Sequence, residues 1–111
     1  MSRRYQLSPV VLNRIWLERL NQRALFAGGK LSCAVESPTV SNDAKLRVVT
    51  EELGEVAKEI DALELLTRER REMPHTFKLR RARVQNRLHN ELTQLAAVTM
   101  AWLEALEVEV K

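Results

Sequence analysis

The chain has one cysteine, Cys33, and only three prolines, three glycines and a handful of aromatic residues (two Trp, one Tyr, two Phe) in 111 positions. A lone thiol can form neither an internal disulfide nor a cysteine-based zinc motif, so a reducing cytoplasm is the simple expectation. So few turn formers cannot punctuate the many short strands of a sandwich or barrel, which leaves helix as the default. Long hydrophobic runs are missing too. The longest, residues 95–103, contains Thr99 and is about half the roughly 20 residues that span a bilayer, so no membrane association is expected. Arg3 and Arg4 precede no apolar segment, because Ser8, Asn13, Arg14 and Glu18 interrupt it, and a signal peptide is not expected either.

What is present is charge and helical period. Eighteen Lys and Arg against 15 Asp and Glu leave a net charge of +3. The excess is local, in Arg68, Arg70, Arg71, Lys78, Arg80, Arg81, Arg83 and Arg87. Glu69 and Glu72 interleave with these cations and Phe77 is almost the only ring among them, so the stretch reads as a solvated face and nucleic acid is not the expected partner.

Ser8 followed by Pro9 reads as a helix cap and first residue, and Val11, Ile15, Trp16, Leu20 and Leu25 recur near helical spacing until Gly28 and Gly29. This predicts a first helix over 8–27. Residues 28–42 have loop chemistry at a length that is often functional, with Lys30, Ser41 and Asn42 as candidates to reach a base or sugar. Leu46, Val49, Leu53, Val56, Ile60 and Leu63 then mark a helix over 43–72, which Pro74 interrupts. Val84, Leu88, Leu92, Leu95, Thr99, Trp102 and Leu106 mark a third helix over 77–108. The expected fold is therefore one all-α domain over 1–111, an antiparallel helical hairpin plus an N-terminal helix. Two apolar stripes and a shorter helix do not close a core, so a four-helix-bundle-like core is expected to form by homo-oligomerisation, as a homodimer or larger.

At about 100° per residue, Glu51, Glu52, Glu55 and Glu59 fall within an arc of roughly 100° that flanks the stripe of the second helix. Glu51 with Glu55, and Glu55 with Glu59, repel at i, i+4, so a compensating cation is expected. On the third helix Glu91 and Gln94, with Arg87, occupy one flank, and antiparallel packing turns both flanks toward one cleft. Converging oxygens suit Mg²⁺, or Mn²⁺ in its place, completed by water and substrate phosphates.

The run 45–57, containing Glu51-Glu52-Leu53-Gly54-Glu55, and the run 90–98, containing Glu91-Leu92-Thr93-Gln94, together resemble the MazG-like, all-α nucleotide pyrophosphohydrolases. The resemblance covers roughly residues 43–107. That family pairs a Glu-Glu-x-x-Glu helix with a Glu-x-x-Asp helix, whose four acids hold Mg²⁺ against a nucleoside triphosphate. The resemblance implies a hydrolase that cleaves a nucleoside triphosphate between its α- and β-phosphates, releasing monophosphate and pyrophosphate. It implies Glu51, Glu52, Glu55 and Glu91 as catalytic and metal-binding residues. Gln94 stands at the position of the family's Asp, where an amide oxygen can ligate Mg²⁺ but brings no charge. Lys58, Arg83 and Arg87 lie on or beside the motif helices and are candidates for phosphate contacts. Two other readings compete with hydrolysis: a nucleotide or metal sensor without turnover, and a helical interaction protein that uses its basic segment.

Smaller signals read as structure. Trp16 and Trp102 are expected to pack, His75 and His89 to lie at a surface or turn, and Cys33 to be a small buried residue or an idle thiol. Gly54, inside a helix, suggests close packing or room for a ligand.

Overall fold

The helix boundaries follow from side chains that complete the backbone. In a computed structural model, which describes residues 8–29, 35–70 and 74–110, α1 spans Pro9–Ala27, α2 Asn42–Glu69 and α3 Pro74–Val110, with no strand among the described residues. The Ser8 hydroxyl accepts the Val11 N–H at 3.3 Å and Pro9 opens α1, where a missing N–H costs nothing. At the far end Gly28 donates to the Ala24 carbonyl at 3.0 Å, and Gly29 turns the chain away with φ of +76°. Ser41 caps α2 by accepting the Ala44 N–H at 3.1 Å, while Asp43 in the first turn and Arg68 in the last suit the helix dipole.

Two boundaries differ from the periodicity by three residues. α2 ends at Glu69, short of the expected 72, and α3 begins at Pro74 instead of 77. Proline breaks a helix only in its interior; in the first turn it removes no hydrogen bond, and here it starts the helix that its presence suggested it would delay. Arg70 then lies over the Phe77 ring, 5.2 Å from its centroid, and joins the end of α2 to the first turns of α3.

α3 is the central element, and both α1 and α2 pack on it. Side-chain partners on α2 and α3 run in opposite order: Glu69 with Arg80, Glu59 with Arg87, Asn42 with Trp102. The buried α3 residues are Val84, Ala97, Val98, Ala101 and Ala105, and the alanines let two neighbouring helices approach closely. A small apolar cluster of Val35, Val98 and Ala101, edged by Val48, Val49 and Trp102, ties the segment before α2 to this face.

The faces turned inward take in only part of the apolar stripes: Val49, Val56 and Leu63 on α2 and Val84, Leu88, Leu95 and Trp102 on α3 are buried or half-buried. On α2 the buried or half-buried line runs Lys45, Val49, Glu52, Val56, Glu59, Leu63 and Leu66, whereas Leu46, Leu53 and Ile60 are exposed. On α3 Leu92, Thr99 and Leu106, expected inside, are also exposed. α1 buries Arg19 most deeply and leaves Trp16, expected as a packing anchor, 52% exposed. The principal extents of 56 × 38 × 23 Å give the reason. The shortest is about two helix diameters of 10–12 Å, so one chain offers only two layers and each helix keeps an uncovered side.

Arg19 holds α1 in place. Its side chain is 4% exposed and its guanidinium contacts Glu104 of α3 and, at 3.8 Å, Glu36 of the segment before α2. Arg23 reaches the same Glu36 from an exposed position at 3.9 Å. No helix among the described residues is long and apolar enough to cross a membrane.

Candidate functional site

Turning α2 so that Val56 meets α3 also carries Glu52, one turn earlier, and Glu59, one turn later, into the interface. These two glutamates are treated differently. Glu59 receives the Arg87 Nε–H at 2.8 and 3.0 Å, a charge-assisted contact that satisfies both oxygens. Among the described residues Glu52 receives nothing on its buried Oε2, and the buried Oε2 of Glu91, on α3, is equally without a partner. Burial pushes the Glu52 carboxyl above the ordinary carboxylate value, and the charges of Glu91, Glu18, Glu55 and Glu51 push it further. Glu91 is raised for the same reasons, first by desolvation and then by Glu55 and Glu59, with Lys58 acting the other way.

The remaining predicted residues divide clearly. Glu55 is exposed and accepts from Lys58 at 3.2 Å, so that lysine is already engaged within its own helix. Glu51 is exposed on the outer surface of α2, beside Asp43 and Arg47, away from Glu91. Gln94 is half-buried and lines a groove between α1 and α3. Arg87 neutralises Glu59, while Arg83 lies with Arg80 and Arg87 along a separate recess of about 270 Å³ between α2 and α3. The inner pair is thus Glu52 with Glu91, Glu55 stands at its rim, and Glu51 faces elsewhere.

Loop expectations change more. Asn42 is the first residue of α2, and its Oδ1 accepts the Trp102 indole N–H at 3.1 Å; Ser41 is spent as the helix cap. Lys30 and Cys33 lie outside the described residues. Gly54 faces open space, since a Cβ placed there would meet nothing within 4 Å, so no close packing explains it. His89 sits within α3, half-buried, with Arg14 Nη1 3.0 and 3.3 Å from its ring nitrogens.

One site residue was missed by the sequence reading. Glu18, on α1, lies close enough to raise both inner carboxyls and lines the α1–α3 groove beside Gln94. Its oxygens accept from Asn21 at 3.2 and 3.4 Å. The periodicity of α1 points away from it: Val11, Trp16 and Leu20 of its apolar stripe are exposed, and Glu18, Arg19 and Gln22 share the inner side with Ile15 and Leu25 of that stripe.

Among the described residues no group of three or more His, Cys, Asp or Glu side chains is close enough to hold a metal ion by itself. The inner pair still fits a hard cation. Mg²⁺ is commonly bound by one or two carboxylates, with water and substrate phosphates supplying the other oxygens. Two unpaired, buried, mutually repelling carboxylate oxygens are donors of that kind, and a bound cation would supply the missing partner for both.

No family model, no curated protein and no solved structure matches the chain.

Proposed function

We propose that the chain is a Mg²⁺-dependent nucleotide pyrophosphohydrolase, with Mn²⁺ as a possible substitute, that cleaves a nucleoside triphosphate to monophosphate and pyrophosphate. The supporting observation is the pair of buried, unpartnered oxygens on Glu52 and Glu91, together with the motif resemblance of the two helices that carry them. Glu52 and Glu91 would hold the cation, with Glu55 at the rim and Gln94 and Glu51 as outer candidates. When bound, the cation would offset triphosphate charge and polarise a water. One of the glutamates at the site would take that water's proton. The water oxygen would bond to the α-phosphorus as the bridge to the β-phosphate breaks, and pyrophosphate would leave carrying the bridging oxygen. Glu18 supplies a negative charge near the place where Gln94 is neutral.

A panel of nucleoside di- and triphosphates with Mg²⁺, scored for pyrophosphate against orthophosphate, tests this reading. Pyrophosphate from at least one triphosphate, lost in Glu52→Gln, supports it; orthophosphate alone, or no release, removes it. The uncharged Gln94 favours a second reading, a nucleotide sensor that binds without turnover. Under that reading the parent releases nothing and Gln94→Asp creates release.

The assembly reading is a homodimer or larger. Leu46, Leu53 and Ile60 are exposed on α2 at seven-residue spacing, and Leu92 and Leu106 are exposed on α3. At about 100° per residue both sets fall on the same side of the antiparallel pair, giving an uncovered apolar face that a second copy would bury.

A further inference from the structure

We propose that the groove between α1 and α3 is the site for the base and sugar of a nucleotide, read by a ladder of side-chain amides, an inference that rests on the nucleotide reading above. Asn86, Asn90 and Gln94 stand four residues apart on α3, so they share one face and span about 12 Å along the helix. Arg14, Leu17, Glu18 and Asn21 form the opposite wall with the i, i+3, i+4, i+7 spacing of one α1 face. The volume between the walls is about 500 Å³, within the range of about 300–1,000 Å³ usual for small-molecule sites.

The chemistry of the walls selects the ligand class. Each amide presents both a donor and an acceptor, which matches ring edges and hydroxyls, and the Asn86 and Asn90 side chains make no hydrogen bond among the described residues. Glu18, on the facing wall, repels a phosphate from the groove, and Arg14, the cation of that wall, is already engaged with the His89 ring. The phosphates of a ligand seated here are therefore directed out of it, and Asn90 and Gln94 flank Glu91 in the chain, so the candidate cation site adjoins the groove. Leu17, 54% exposed, supplies an apolar contact for the face of a ring. The Arg14–His89 contact crosses from α1 to α3 between Asn86 and Asn90, and Gln22 donates to the Gln94 carbonyl at 3.4 Å, so the two walls are tied at two points along the groove.

The test is equilibrium binding of ribo- and deoxyribonucleoside 5′-monophosphates and of inorganic pyrophosphate to the full chain, in the parent, Asn86→Leu and Asn90→Leu. Both positions are exposed, so the substitutions leave the packing between helices in place. The expected result is that at least one monophosphate binds the parent and binds each variant at least tenfold more weakly, while the Mn²⁺-induced rise in melting temperature is unchanged in both. Equal monophosphate binding by parent and variants, or no monophosphate binding at all by the parent, would overturn the proposal. Monophosphate binding that needs the amides, in a parent that shows no Mn²⁺ shift, would keep the groove and remove the hydrolase.

Discussion

At the scale of single residues, the inner carboxylates carry an unpaid electrostatic cost in the absence of a cation. An acid whose folded pKa is raised binds its proton more tightly folded than unfolded. The chain therefore loses stability as pH rises from the ordinary value of 4.5 through the raised folded value, and the loss is complete above it. Glu52→Gln removes this cost. In metal-free buffer the variant should unfold at higher denaturant than the parent at pH 7, with the gap closing toward pH 4.5; a gap that widens on acidification would contradict the burial and repulsion described. Lys45 poses a related question. It is fully buried in α2, and among the described residues its Nζ has no hydrogen-bond partner. Replacing buried ionic groups with apolar side chains of similar volume is often neutral or stabilising, so Lys45→Met should leave stability unchanged or raise it in chemical denaturation. A loss of stability would mean that the ammonium has a partner in solution.

At the scale of elements, the three helices were legible and the faces they bury only in part. Ser8-Pro9, Gly28 and the three-and-four spacing located α1 to within a residue, because caps and periodicity are local properties. Pro74 misled by position, since the same residue opens or breaks a helix according to which turn it occupies. The inward faces depend on what each helix packs against. Leu46, Leu53 and Ile60 are the most apolar choice for α2, yet α3 offers alanines and carboxylate partners, and the interface settles on Lys45, Glu52, Val56, Glu59 and Leu66. For the same reason the candidate site was legible in Glu52 and Glu91 but not in Glu18, which only the docking of α1 brings near them. That docking depends on Arg19, whose buried guanidinium joins α1 to Glu104 and Glu36. Arg19→Ala, which removes the buried end of these contacts, should cost more in urea unfolding than Arg23→Ala, whose exposed position should cost about 1 kcal/mol or less. Equal effects would show that α1 is held by other contacts.

At the scale of the whole molecule, two sides of the α2–α3 pair have opposite character. One carries the glutamates and receives α1; the other exposes Leu46, Leu53, Ile60, Leu92 and Leu106. A single chain cannot cover the second, which is why a homodimer fits the architecture. Sedimentation equilibrium should give the parent a mass of two chains or a multiple of two, and Leu53→Glu should shift it toward one; a monomeric parent would contradict the assembly. The central claim is that Glu52 and Glu91 share a divalent cation, and thermal unfolding with and without Mn²⁺ tests it most directly. A ligand that binds only the folded chain stabilises it by mass action. The melting temperature of the parent should rise with Mn²⁺, and the rise should vanish in both Glu52→Gln and Glu91→Gln. No rise in the parent, or the same rise in both variants, would show that the cation is not held there.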